Sequence, residues 1–453
     1  MSATAPLSPV PEPQPTASEA GVTPHAPAPE AWGLARRLAF RFVFAYLVLY
    51  TFPFPLDIIP VLGDFITSFQ DGLWKAVVPW VGKHVLRLST DITVMPNGSG
   101  DTTFDYVQVL MFFVVAVAVT GVWSVIDRRR TEYVKAHDLL HTNVRYVLAM
   151  AMLSYGLAKL FKSQFPFPSP ERLVQPLGDF SPMGLLWNFM GFSKGYNVFT
   201  GGAEFLGGCL LLFRRTTTLG ALVVAGVMVN VVALNFFYDV PVKLYSSHLL
   251  LMSLFLVLPD ARRLLDVLVL NRATQPRPLQ PPFPPSRWLS GAGLVMKVLV
   301  VGGIAYGFGG SRLEFIRKYG DSAPRPPFYG YYTVDSFTQD GQRLEATSGD
   351  ARRWKAVAVN RFGRMLIKHQ DDTVKSFGVE EDAPKKTLTL IDGQDDTAKK
   401  FVLTYTRSDA NQLVLQGTLH EAAIEVRLTR VDESKFLLLN RGFNWIQEAP
   451  FNR

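Results

Sequence analysis

Ionisable and carboxamide side chains interrupt otherwise apolar runs of this sequence: Glu204 within Tyr196–Phe213, Asn230 and Asn235 within Leu219–Tyr238, His248 within Pro241–Pro259, and Lys159 near the end of Val144–Phe161. An ionisable group at the centre of a membrane helix costs roughly 2.5–3.5 kcal/mol on insertion scales, so it faces a partner, a cavity or a substrate rather than lipid. A helix rises about 1.5 Å per residue. Counting down from Tyr196, Tyr238 and Pro241 therefore puts Glu204, Asn230 and His248 at one depth, about 10–12 Å below one membrane boundary. Lys159 and Asn235 sit nearer the rim, and Tyr155, Tyr196, Tyr238, Asp239, Lys243 and Tyr245 decorate the same mouth. A Glu and a His at one level suit proton transfer or recognition of a polar head such as a quinone ring. The alternative is structural: Lys159 and Glu204 neutralise each other, while Asn230, Asn235 and His248 make interhelical hydrogen bonds worth about 0.6 kcal/mol each.

A second pattern is His137-Asp138-Leu139-Leu140-His141, whose imidazoles at i and i+4 share a helical face. It resembles the His-Glu-x-x-His metal motif with a shortened acid. The chain has seven histidines, which leaves no third ligand at suitable spacing and no set of histidine boxes. Ordinary interface histidines are the expectation, with no bound metal. The single cysteine, Cys209, excludes an intramolecular disulfide and any multi-cysteine metal site.

The elements that must position these residues follow from hydropathy. Among 453 residues, 48% are hydrophobic and 19% charged, a membrane-protein balance. The net charge of +8 is not one patch but is distributed beside apolar runs, which points to topology signals rather than nucleic acid. Residues 1–30, rich in Pro and Ala, read as a disordered cytoplasmic tail. Seven spans are expected, at Leu38–Leu56, Val107–Ile126, Val144–Phe161, Tyr196–Phe213, Leu219–Tyr238, Pro241–Pro259 and Trp288–Phe308. Arg36-Arg37, Arg128–Arg130, Arg214-Arg215 and Arg262-Arg263 then share the cytoplasmic side, with Arg41 snorkelling toward it. Two of these spans and an interfacial or loop helix between them occupy residues 31–135, and a four-helix unit occupies 136–270. A Pro-rich linker follows at 271–287 and the last span at 288–310.

From residue 311 the chain leaves the membrane, and from Tyr329 on the hydrophobic period becomes two. Leu388/Leu390, Phe401/Leu403/Tyr405, Leu413/Leu415 and Ile424/Val426/Leu428 alternate with polar residues, and Asp340-Gly341, Asp392-Gly393 and Asp409-Ala410-Asn411 supply turns. About eight short antiparallel strands are expected, as a small lipocalin-like up-and-down barrel or an open meander, on the periplasmic side.

The segments Ser154-Tyr-Gly-Leu-Ala-Lys159, Phe199-Thr-Gly-Gly-Ala-Glu204-Phe-Leu-Gly-Gly208, Arg214-Arg-Thr-Thr-Thr-Leu-Gly220 and Asp239-Val-Pro-Val-Lys243 resemble the four-helix DoxX-type membrane proteins, over roughly residues 140–265. More distantly, the same helices resemble the membrane domain of vitamin K-dependent carboxylases. The DoxX resemblance implies a bacterial inner-membrane protein, and one member group is a subunit of a thiosulfate:quinone oxidoreductase. The expected function is a redox or quinone-linked membrane component, with Glu204, His248, Lys159, Asn230, Asn235, Tyr196 and Asp239 around a polar cavity. The competing expectation is a non-enzymatic binding or assembly module whose barrel holds a lipid or a membrane-protein partner.

Overall fold

A computed structural model describes residues 31–59, 61–94, 98–276, 287–307, 310, 312–347, 349–393, 398–409 and 411–452. The tail expected over 1–30 and most of the Pro-rich linker fall outside this range. Helices α1 (Leu34–Thr51), α2 (Leu62–His84), α3 (Thr103–Ile126) and α4 (Val134–Leu160) lead into a short turn of helix, α5 (Pro170–Leu173), and then α6 (Pro182–Phe192). Next come α7 (Lys194–Leu211), α8 (Thr217–Phe237), α9 (Lys243–Val257), α10 (Ala261–Leu268), α11 (Arg287–Gly307) and α12 (Leu313–Tyr319).

A helix covers most of each of the seven expected spans. By length and composition, however, only four described segments suffice to cross a membrane: Leu34–Ile58, Thr103–Ile126, Arg214–Phe237 and Lys243–Leu268. Helices α4 and α7 fall below that standard because they exchange apolar surface for buried polar and glycine residues, including Arg145, Lys159, Asn197 and Glu204. In α11 the apolar stretch is the shorter Gly291–Gly307.

The bundle core joins α1, α4, α7, α8 and α9 through Leu148, Met152, Leu211, Val224, Met228, Met252 and Leu256. Helices α4 and α7 approach closely because glycines line their seam. A Cβ at Gly156 would stand 2.8 Å from the Gly201 carbonyl oxygen, and one at Gly201 would stand 2.7 Å from the Lys159 Cβ. Gly208 meets Leu153 of α4, and Gly207 meets Val224 of α8, whereas Gly202 faces open space. Gly201, Gly207 and Gly208 thus let helices close together, as small residues do in membrane bundles.

Two polar details differ from expectation or extend it. Arg41 does not snorkel; it is buried and donates to the Tyr133 hydroxyl at 2.7 and 3.0 Å, to Ser124 Oγ at 2.8 Å and to the Asp127 carbonyl at 3.0 Å. Ordered acceptors close by remove the need to reach water. At the opposite end, Asp101 accepts from the Lys243 and Leu244 amides at 2.7 and 2.9 Å and so caps α9 from a distant loop. A carboxylate there satisfies donors that the first turn leaves unpaired.

The C-terminal part is a closed antiparallel barrel of eight long strands with a short ninth strand appended. These are β1 (Gly330–Gln339), β2 (Gln342–Arg343), β3 (Trp354–Val359), β4 (Arg364–His369), β5 (Val374–Asp382), β6 (Thr387–Asp392), β7 (Lys399–Arg407), β8 (Gln412–Leu419) and β9 (Ala422–Arg430). β2 pairs β1, β1 also pairs β3, successive strands from β3 to β9 pair with each other, and β1 closes on β9 with Phe337 opposite Val426. Closure, rather than an open meander, leaves no long free edge. At Asp340-Gly341 both residues have positive φ, 50° and 78°, the geometry a two-residue hairpin turn requires. Alternation puts Phe337, Trp354, Met365, Ile367, Phe377, Leu388, Leu390, Leu403, Leu415 and Val426 inside, and these side chains fill the barrel.

Candidate functional site

The polar cluster forms at the end of the bundle nearest the barrel. Lys159 Nζ donates to Glu204 Oε1 and Oε2 at 2.5 and 2.7 Å, joining α4 to α7. Lys159 is 7% exposed and Glu204 2%, so the pair is withdrawn from water yet mutually compensated. The glycine seam makes the contact possible, since Gly201 packs directly on the Lys159 stem.

This pair is not sealed in packed side chains. It forms part of the wall of a cavity of about 320 Å³ together with Asn230, Asn235, Tyr196, Tyr155, Tyr245 and Ser246. Apart from Gln164 and Thr200, the rest of the wall is apolar and aromatic, including Met152, Phe165, Trp187, Phe199, Val227 and Leu249. Helix α6 roofs it through Leu186 and Met190, which pack with Phe165 and Val240. The exposed lining residues, Tyr196, Phe199, Gly226 and Asn230, all belong to α7 and α8. The cavity therefore opens sideways between those two helices, toward the lipid-facing surface of the bundle.

Five of the seven residues expected at the site share this cavity: Glu204, Lys159, Asn230, Asn235 and Tyr196. Asn235 is buried and donates to Ser246 Oγ of α9 at 2.9 Å. The Asn230 carboxamide is exposed and has no hydrogen-bond partner among the described residues.

His248 and Asp239 lie elsewhere. His248 faces α1: Nδ1 bonds the Leu244 carbonyl at 2.7 Å, Nε2 meets the Tyr46 hydroxyl at 2.6 Å, and the ring stacks on Tyr50 with centroids 4.0 Å apart. Since a carbonyl only accepts, Nδ1 carries a proton, and Nε2 pairs with the Tyr46 hydroxyl. On α9, Tyr245, Ser246 and Leu249 take the cavity face, and at 3.6 residues per turn that puts His248 on the flank toward α1. Asp239 is an exposed partner of Lys243 at 3.0 Å.

A larger chamber of about 680 Å³ adjoins, between α1, α4, α9 and α12, lined by Tyr50, Asp57, Ser154, Ser163, Arg312 and Phe315 among others. Tyr155, Gln164, Tyr245 and Leu249 line both chambers. The Tyr155 and Tyr245 rings, 6.2 Å apart, thus form a shared partition.

Just past Lys159, a polar clasp ties this end of the bundle to the barrel. Lys162 Nζ donates to Asp321 Oδ2 at 2.7 Å and to the Gly191 carbonyl at 2.6 Å. Arg361, from the β3–β4 turn, donates to Asp321 Oδ1 at 2.8 Å and to the Phe167 carbonyl at 2.5 Å, and the Phe167 amide donates to Asp321 Oδ1 at 2.9 Å. Burial alone would push the Asp321 carboxyl up, but the bonds from Lys162, Arg361 and the Phe167 amide together hold it below the usual carboxylate range. Sequence reasoning missed this cluster, because its members are scattered over almost two hundred residues with no periodic signal.

The His137 and His141 rings are 6.0 Å apart and each packs near Phe255, with centroids 5.8 and 6.1 Å from its ring, and Asp138 is taken by both terminal nitrogens of Arg214. Among the described residues, no group of three or more His, Cys, Asp or Glu side chains converges.

The DoxX family profile matches residues 141–238, which span most of α4 through α8. The uncharacterized protein YwoB of Bacillus subtilis (strain 168) is 35% identical over 123 residues, covering 27% of this chain and 78% of that protein. No solved structure matches the chain.

Proposed function

This chain belongs to the DoxX family, and from that premise we propose that its four-helix core is a binding site for a lipophilic molecule with a hydrogen-bonding head, a quinone being the chemical class that fits best. The observation that carries this reading is the compensated Lys159–Glu204 pair, the one ion pair among the described residues lining a largely apolar cavity that opens sideways toward lipid. An ammonium has three donors and the carboxylate here engages it with two oxygens, leaving donor capacity for a ring carbonyl. The carboxylate lone pairs can in turn accept from a hydroxyl of the reduced form. Asn230 offers both a donor and an acceptor, and Phe199, Trp187 and Val227 supply the apolar and aromatic surface against which a ring and tail would lie.

In this reading the protein is a quinone-linked component of the bacterial inner membrane. The N-terminus is cytoplasmic and the barrel periplasmic, as the shared end of the four arginine groups supports. Helices α4, α7 and α11 cross with the four longer spans. The alternative, in which the barrel holds a lipid in its lumen, is disfavoured by the side chains that occupy the interior.

The test is titration of a short-chain benzoquinone into the full chain in lipid nanodiscs, followed by calorimetry. Saturable binding is expected for the wild type. Loss of at least tenfold in affinity is expected for Glu204→Gln and for Ala203→Trp, which fills the cavity from α7. Unchanged binding in both variants would sink the assignment.

A further inference from the structure

The opposite, arginine-rich end of the bundle carries a second cleft, of about 500 Å³, between the start of α4, the α7–α8 junction and α10. Its charged wall is Asp138, Arg214, Arg215, Asp260 and Arg263, with His137, His141, Thr217 and Thr218 beside them. The two carboxylates are already committed. Asp138 binds both terminal nitrogens of Arg214, and Asp260 accepts from Arg263 at 2.8 Å and from Thr218 Oγ1 at 2.6 Å. Arg215 is exposed in the cleft and has no carboxylate partner among the described residues.

A further cation lies behind it. Arg145 of α4 is 6% exposed, rests on the Tyr146 ring at 4.7 Å, and lies within electrostatic reach of Arg214 and Asp138. Its Nη1 has no hydrogen-bond partner among the described residues. A buried guanidinium with an unpaired nitrogen, next to a carboxylate that Arg214 already engages, marks a place where further negative charge is favourable.

The other wall is apolar. Leu219, Leu264, Val267 and Leu268 line it, and α10 buries none of its residues, leaving Leu265, Val267 and Leu268 about half exposed or more. Helix α10 puts Arg262 and Arg263 on one side and these aliphatic residues on the other, the composition of a helix lying along a membrane surface. A phosphate group satisfies the cationic wall through charge-assisted bonds, and acyl chains cover the aliphatic one. We propose that this cleft binds the phosphate of an anionic phospholipid, with Arg215 as its main exposed contact and Arg145 and Arg214 supplying the field behind it.

The experiment uses the delipidated full chain in detergent, with native mass spectrometry of bound phosphatidylglycerol against phosphatidylcholine. The wild type should prefer phosphatidylglycerol. Arg215→Gln should lower that preference about fivefold, the factor expected for one arginine at an anionic surface, and Arg215→Lys should keep most of it. Equal retention of the two lipids by the wild type overturns the proposal. So does full displacement of phosphatidylglycerol by millimolar inorganic phosphate, which would assign the site to free phosphate rather than lipid.

Discussion

Lys159 and Glu204 are either a clasp that holds α4 to α7 or a site, and a double-mutant cycle separates the two roles. Replacing Lys159 by Met leaves a carboxylate that is 2% exposed without its cation. Replacing Glu204 by Leu leaves a 7% exposed ammonium without its anion. Removing one partner of a buried pair costs about 3–5 kcal/mol, whereas replacing both by apolar residues of similar volume is neutral or stabilising by about 1–4 kcal/mol. Each single variant should therefore unfold more readily by at least about 3 kcal/mol, while Lys159→Met with Glu204→Leu should return to wild-type stability or exceed it. Unfolding measured by steric trapping in bicelles reads these differences. Simple additivity of the two single effects would refute the claim that the pair is mutually compensated. Benzoquinone titration of the same double variant then answers the functional question. A stable double variant that has lost binding assigns the pair to the site, and one that binds as the wild type does reduces it to a clasp.

Two further outcomes follow from the contacts. Asp321→Asn should loosen the barrel from the bundle, because a charge-assisted bond contributes about 1.5–3 kcal/mol and Asn retains only one acceptor for Lys162 and Arg361. Faster amide exchange across residues 163–169 and 320–328 is the expected signal, and unchanged protection would count against the clasp. The same docking has a defined pH dependence. Because the Asp321 carboxyl is held below its unfolded value of about 3.9, its contribution is complete above that pH and is lost as pH falls through the lowered value. Exchange at these segments should therefore rise only below about pH 4, and a rise already near neutrality would contradict the assignment. Gly201→Val should cost about 1–3 kcal/mol by overpacking, since even its Cβ would meet the Gly156 carbonyl oxygen at 2.8 Å. Gly202→Val, which faces open space, should be near neutral in the same unfolding assay.

What was legible in the sequence, and what was not, divides along a physical line. Hydropathy and period are local properties, so the helical stretches, the change to alternating strands and the inward residues of β6 through β9 could be read directly. Depth in a membrane helix is also local, since it needs only the rise per residue, and Glu204 and Asn230, expected at one depth, line one cavity. Azimuth is not local. His248 is expected at the same depth, yet the rotation of α9 that turns Tyr245, Ser246 and Leu249 into the cavity directs the imidazole to Tyr46 and Tyr50 of α1. No residue of α9 announces that choice, because it depends on which neighbours the helix packs against. The same reasoning explains Arg41, whose acceptors come from Ser124, Asp127 and Tyr133, and Asp321, whose partners are Lys162 and Arg361. In each case the partners lie tens to hundreds of residues away and share no pattern. Close helix approach at Gly201, Gly207 and Gly208 stands between the two cases, because a missing side chain is visible in the sequence whereas the helix that fills the space is not, as the open surroundings of the adjacent Gly202 show.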